Sequence, residues 1–307
     1  MYKRQAVISL GIAFWTPDTT YSEMRAKYGG APSQFLELGE VGRVHFRDQG
    51  LRSGRTIVLV HGTSASLHTW EPLVAKLKNE FRLVSFDLPG HGLTGENKQR
   101  DYSHAAMYGV IWRLMDHLEI DSATLAGNSL GGAVAWLAAL DRPEKVDALI
   151  LLAPSGAPSD IKAKSNIGFK IMKTAWGKVL MTKITPRFLV MKSLLQTVEN
   201  KEIINDAVVD RYWELLRMKG NRQAMVDLAQ IPRVVADRQL LSKVSQPTLI
   251  VWGREDGLLP FQMSVIFSNE IANSHLVALD NIGHIPMEED VDSVSREILE
   301  FCVKRKC

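Results

Sequence analysis

Two hydrophobic patterns alternate along most of the chain. Short continuous apolar runs occur at 56–62 ("TIVLVHG"), 82–92 ("RLVSFDLPGHG"), 122–129 ("SATLAGNS"), 147–156, 247–256 and 275–284. Runs of β-branched and apolar residues without alternation read as strands buried on both faces. Between them, the stretches near 68–79, 102–120, 130–140, 260–272 and 287–303 carry helical spacing. Strands that alternate with helices imply βαβ units and a parallel sheet. Ahead of this series, "FLELGEVGRVHFRDQG" (35–50) alternates apolar and polar residues around Gly39 and Gly42, the pattern of an opening hairpin. The expected fold class is α/β, a mostly parallel sheet with helices on both faces.

The rhythm breaks after the sixth strand. Residues 157–243 carry helical patterns only, and the strand–helix alternation then resumes. An all-helical insertion between two halves of a parallel sheet reads as a lid. The chain therefore divides into an N-terminal apolar segment and linker (1–33), a first core part (34–156), the lid (157–243) and a second core part (244–307). Charge follows the same division. The lid holds 16 Lys and Arg against 8 Asp and Glu, or +8 in a chain whose net charge is +3, leaving −5 elsewhere. A basic helical face is either simply solvated or turned toward an anionic surface or acidic substrate. The lid's apolar side chains, among them Trp176, Phe188, Tyr212 and Trp213, are expected to line a pocket beneath it.

Composition narrows the function classes. At 307 residues and 46% hydrophobic content the chain buries an ample core. With a net charge of +3, no arginine-rich run, no paired CxxC and no internal repeat, a nucleic-acid partner is not expected. Cys302 and Cys307 lie at the extreme C-terminus and cannot build a disulfide framework. At the other end, Lys3 and Arg4 precede an apolar run from Ala6 to Trp15. The run is too short to span a bilayer, which takes about twenty residues. It reads as an interfacial anchor or signal-like segment, placing the protein at a membrane or outside the cell. The alternative is a helix packed on the domain of a cytoplasmic protein.

Candidate chemistry centres on "LAGNSLGGAVAW" (125–136). Gly127-Asn128-Ser129-Leu130-Gly131 matches G-x-S-x-G between a strand and a helix, a turn so abrupt that it exposes the serine hydroxyl on a strained backbone. A serine needs a base, and the partners of this motif follow it as acid and then histidine. After Ser129 only His275 and His284 remain. His275 opens an apolar strand, whereas His284 ends "DNIGH" at a strand's C-terminal end, where parallel sheets present their sites. Asp256, beside Gly257, is the expected acid, and Glu255 its solvated neighbour. Backbone N–H groups of Leu130 and Thr63 are expected to receive an oxyanion, with Ser64 as the fallback. His61 and His91 read as loop-shaping residues. No cofactor and no metal is expected.

These residues resemble the α/β-hydrolase superfamily over roughly 35–303. The resemblance rests on His61-Gly62, "DLPGHG" (87–92), "GNSLGG" (127–132), "GREDGLLP" (253–260) and "GHIPMEE" (283–289), in the family's order and spacing. It implies a lidded serine hydrolase. Dehalogenases and epoxide hydrolases of this fold carry aspartate where this chain has Ser129. "GNSLGG" is similar to the turn of hydrolases that cleave carbon–carbon bonds of ring-fission products. Those often place tryptophan after the histidine, where this chain has Ile285. "HGTSASLHTW" with "DLPGHGLTG" is closer to esterase and lipase-like members, so the expected substrate is a small-molecule carboxylic ester. The alternatives are carbon–carbon cleavage and, in a different class, a ligand-binding member of the fold without turnover.

Overall fold

A computed structural model describes residues 15–157, 174–232 and 238–305. The eight strands are β1 (Gln34–Glu37), β2 (Arg43–Gly50), β3 (Thr56–Val60), β4 (Arg82–Phe86), β5 (Ala123–Asn128), β6 (Val146–Leu152), β7 (Thr248–Gly253) and β8 (Ser274–Leu279). They form one sheet in the order β1-β2-β4-β3-β5-β6-β7-β8. The hairpin β1–β2 joins β4 antiparallel, and every other pairing is parallel. This is the α/β class that the pattern predicts. β5 and β7 are buried at every position, as continuous apolar runs demand, whereas β8 at the edge is only partly buried.

The sheet divides two apolar layers by the two-residue period of its strands. Val58, Val60, Val84 and Phe86 face one side, under the helices His104–His117, Leu130–Asp141 and Gln262–Glu270. Ile57, Leu59 and Leu83 face the other, against Glu71–Leu77 and Val291–Arg305. Cys302 is buried in this second layer and disulfide-bonded, a single bridge and not a framework.

Between β6 and β7 the described residues form helices Ala175–Met181, Arg187–Leu195, Asp206–Leu216, Asn221–Leu228 and Arg238–Leu241, with no named strand among them. The chain start is built into this layer. Thr16 N–H donates to Lys183 O (3.0 Å), Thr19 N–H to Arg217 O (3.0 Å), and Lys219 N–H returns to Thr19 O (3.0 Å). The buried Arg222 guanidinium reaches Asp18 at 2.6 Å and Thr16 at 3.1 Å. Thr20 and Glu23 then form a reciprocal capping box that starts the helix Tyr21–Tyr28. Residues 15–28 are therefore a strap along the lid, where the sequence shows only a connection. Residues 1–14, which carry nearly all of the apolar N-terminal run, lie outside the described residues. Among those described, no helix is long and apolar enough to cross a membrane.

The strap yields a stability prediction. Arg222→Met keeps most of the side-chain volume and removes the bonds to Asp18 and Thr16. Hydrogen bonds to charged groups contribute about 1.5–3 kcal/mol each. Asp18 is partly solvated, so the expected loss is about 1–2 kcal/mol in urea unfolding. A loss below about 0.5 kcal/mol, the range of an ordinary surface substitution, means that the strap does not hold the lid.

Candidate active site

β5 ends at Asn128 and the next helix begins at Leu130, so Ser129 alone makes the turn. Its backbone sits at φ 53°, ψ −115°, in the left-handed half of the map that side chains with a Cβ rarely occupy. Three hydrogen bonds hold it there: Ser129 N–H to Leu152 O (3.1 Å), Ser155 N–H to Ser129 O (2.9 Å) and Ala133 N–H to Ser129 O (3.1 Å). The helix start is pressed against the end of β3 so closely that a Cβ on Gly131 would stand 2.0 Å from Val60 O. Only glycine permits that approach.

The neighbouring Asn128 ties this turn to a distant loop. Its amide Nδ2 donates to Leu152 O and to His284 O, both at 3.0 Å. The His284 ring nitrogen Nδ1 lies 2.7 Å from Asp256 Oδ2. Asp256 Oδ1 accepts the backbone N–H groups of Leu258 and Leu259, each at 2.8 Å. A carboxylate that accepts at both oxygens leaves Nδ1 of His284 as the donor, so Nε2 carries the free lone pair. Both side chains are buried. Glu255 is exposed and, among the described residues, accepts only from Ile282 N–H at 3.2 Å. His275 is exposed on the edge strand β8.

Beside the turn runs the loop after β3. A methyl group on Gly62 would lie 3.2 Å from Ser129 Cβ, so Gly62-Thr63 passes directly against the serine. Thr63 N–H has no acceptor among the described residues, and Leu130 N–H opens its helix without an intrahelical partner. The fallback Ser64 has φ 63°, and its hydroxyl donates to Met225 Sδ of the lid at 3.5 Å.

A buried cluster braces this loop; His61 and His91 shape it as expected, and Asp87, His45 and His68 join them. His61 Nε2 accepts Leu88 N–H at 3.0 Å, so the ring's proton sits on Nδ1 and is donated to Gly62 O at 2.8 Å. That bond fixes the Gly62–Thr63 peptide. Asp87 Oδ1 accepts Leu67 N–H, and Oδ2 accepts Leu93 N–H and meets His45 Nδ1, all at 2.7 Å. Burial acts to raise the Asp87 pKa, but His45, His61 and His68 together outweigh it and hold the carboxyl below its usual range. Burial drives the imidazoles the other way. It lowers His61 against the pull of Asp87, takes His68 down to about 4, and, helped by the adjacent His61, takes His91 down to about 3. His91 Nδ1 donates to Pro89 O at 3.0 Å and its ring lies 5.1 Å from that of His61. The signal for Asp87 was its place in "DLPGHG"; His45 had none, since a polar residue in an alternating strand reads as solvent-facing.

The lid reaches the site through its backbone. Thr197 O accepts His284 N–H at 2.6 Å. Glu289 Oε1 accepts the N–H groups of Glu199 (2.6 Å) and Asn200 (2.5 Å), while its Oε2 accepts Gly283 N–H at 2.8 Å. Glu288 accepts from Thr69 Oγ1, from Tyr212 OH at 2.9 Å and from Arg211 at 3.0 Å. Of the four aromatic residues expected in a pocket, Tyr212 is bonded to Glu288, and the other three are placed differently. Trp176 and Phe188 are 89% and 53% exposed, and Trp213 donates to Thr185 O at 2.6 Å under the Arg217 guanidinium. A helix with apolar residues on several faces does not reveal which face turns inward.

Comparison with known proteins agrees with this fold. The family model described as alpha/beta hydrolase fold matches residues 55–291. The hydrolase YugF of Bacillus subtilis, itself uncharacterized, is 25% identical over 257 residues, covering 84% of this chain and 92% of that protein. The 2-hydroxymuconate semialdehyde hydrolase of Pseudomonas sp. CF600 is 23% identical over 252 residues, 79% of this chain and 84% of that one. Among solved structures, a thermophilic esterase from Thermogutta terrifontis superposes with a TM-score of 0.73 at 23% identity, covering 90% of this chain and 100% of that one. The chain belongs to the α/β-hydrolase fold family, and it is a hydrolase of that fold.

The buried imidazoles set a pH dependence. In the unfolded chain they protonate near 6.5, whereas in the folded protein His61, His68 and His91 resist protonation. The unfolded state therefore binds the extra protons as pH falls, and stability is lost from about pH 6.5 downward, toward about 4 for His68 and about 3 for His91. Asp87, lowered in the fold, adds its own loss only below the ordinary carboxylate range. Urea midpoints measured between pH 7 and 4 should fall steadily. His91→Asn and His68→Asn should each flatten that limb, by up to about 1.4 kcal/mol per pH unit. An unchanged limb in both variants would overturn the assignment.

Proposed function

We propose that this protein is a serine hydrolase that cleaves carboxylic esters of small or medium apolar substrates through an acyl-enzyme. The observation that carries the reading is the buried 2.7 Å pair of His284 and Asp256, tied to the strained Ser129 turn by the Asn128 amide. In this reading the Ser129 hydroxyl attacks the ester carbonyl as His284 Nε2 takes its proton. Asp256 holds the imidazole tautomer and stabilises the imidazolium. The N–H groups of Thr63 and Leu130 receive the oxyanion. Collapse of the tetrahedral species breaks the ester C–O bond, and the alcohol leaves with the proton from His284. Water then attacks the acyl carbonyl, with its proton passing to His284, and the acid departs as Ser129 recovers its hydrogen.

Ester cleavage is preferred to carbon–carbon cleavage because of Ile285. At the position where ring-fission hydrolases often place tryptophan, this side chain is buried in the apolar layer under the sheet and offers no aromatic ring.

The test is hydrolysis of p-nitrophenyl acetate and butyrate, with a ring-fission dienone as the comparison. Ser129→Ala and His284→Ala should each lose on the order of 10⁴-fold in kcat, and Asp256→Asn should be severely impaired. Glu255→Gln should remain near wild type. Near-wild-type ester turnover in His284→Ala would overturn the reading, and dienone cleavage far above ester cleavage would move it to the carbon–carbon class.

A further inference from the structure

Glu289 collects three backbone N–H groups from two distant parts of the chain. Its Oε1 accepts from Glu199 (2.6 Å) and Asn200 (2.5 Å) of the lid, and its Oε2 from Gly283 (2.8 Å), the residue before His284. An ionised carboxylate accepts at both oxygens, and hydrogen bonds to it are about twice as strong as neutral ones. A glutamine in its place has a single acceptor oxygen. Its amide nitrogen would turn a donor toward either the lid peptides or Gly283, so only the acid serves both.

The lid turn that Glu289 holds lies against the loops of both members of the acid–base pair. This turn, residues 196–200, follows the helix Arg187–Leu195. A Cβ on Gly283 would stand 2.4 Å from Thr197 O and 2.8 Å from Val198 Cα. One on Gly257, the residue after Asp256, would stand 2.8 Å from Gln196 O. Thr197 O also accepts His284 N–H at 2.6 Å. The Val198 side chain is 3% exposed and belongs to the apolar layer that contains Ile285 and Met287. The turn is thus seated in the core by Val198, pressed on both loops backbone to backbone, and closed by Glu289.

We propose that Glu289 is a positioning residue for His284. By clamping turn 196–200 onto the backbone at 283–284, it fixes the direction in which the imidazole presents Nε2 to Ser129. The inference rests on the serine-hydrolase reading, since it concerns the aim of the base assigned there. It gives this part of the lid a role in kcat, separate from any role in holding substrate. Misplacing a reacting group by 1 Å can cost about a hundredfold in rate, so a modest shift of this loop is enough to be measured.

The experiment compares Glu289→Gln, Gly283→Ala and Gly257→Ala with wild type in p-nitrophenyl butyrate hydrolysis, urea unfolding and proton NMR of His284 Nδ1–H. The glutamine removes one acceptor and keeps the volume. The alanines keep every hydrogen-bonding group and wedge a methyl between turn and loop. Each should lower kcat roughly tenfold to a hundredfold, with KM within about threefold of wild type. In wild type the proton shared with Asp256 should resonate far downfield and be absent from His284→Ala. In Glu289→Gln and Gly283→Ala that resonance should shift or broaden. Arg222→Met, which loosens the lid at the strap and touches neither loop, should leave kcat and the resonance as in wild type.

The proposal is overturned if Glu289→Gln keeps both the wild-type kcat and the wild-type resonance. It is also overturned if Arg222→Met lowers kcat as much at an equal loss of stability, because general loosening then accounts for the effect. Should Glu289→Gln fail to fold, the two alanine variants decide by the same criteria. If wild type and Ser129→Ala hydrolyse the ester alike, the serine-hydrolase reading fails by itself. The resonance then still decides whether Glu289 sets the orientation of His284.

Discussion

One buried carboxylate holds the working end of this molecule together. Asp87 reaches, through bonds of 2.7 Å, the backbone at Leu67, the backbone at Leu93 and the ring of His45 on β2. Three segments far apart in sequence are fixed around a single charge. An ionised group without water is tolerable only when its lone pairs are filled, and here each partner is a donor. The loop that passes the Ser129 turn is then held one step further out, by the tautomer that His61 is forced to adopt. The arrangement explains why so much histidine is buried with its proton affinity suppressed: these rings serve as fixed hydrogen-bonding pieces, and charging them would put positive charge where there is no solvent.

The lid is a wall of the site and not a cover laid over it. Thr197 and the peptides at Glu199 and Asn200 hold the His284 loop from above, and Asn128 holds it from below. The histidine backbone is thus gripped from both sides, which restricts where its ring can point. A movement of the segment Thr197–Asn200 would act directly on the orientation of His284. Under the proposed mechanism, the position of this segment and proton transfer at His284 are mechanically joined.

Local features were legible in the sequence and long-range ones were not. The turn at Ser129 announces itself because its cause is local: an apolar run, glycines at the points of crowding, and a helix that follows at once. The alternation of buried runs and helices similarly identifies the parallel sheet and the helical insertion after β6. Other features depend on residues far apart. Nothing near Thr197 in the sequence indicates that its carbonyl meets His284, and nothing near His45 says that both faces of its strand are covered. Trp176 and Phe188 show the reverse difficulty. Large apolar residues at helical spacing read as interior, yet the helices that carry them turn those rings outward.

The strap has a consequence for how the chain comes to be assembled. Thr16 and Thr185, which share a hydrogen bond, are 169 positions apart. At ordinary synthesis rates the start of the chain waits on the order of ten seconds or more before its partner leaves the ribosome. Most of the sheet can form in that interval, so this early-made segment is among the last to find its place. The same separation means that the lid is not an interchangeable cassette. A graft that replaces it with the corresponding segment of another hydrolase removes the carbonyls and the guanidinium to which residues 15–28 are fastened. Such a chimera would have to exchange two pieces of sequence, one from each side of the first half of the sheet.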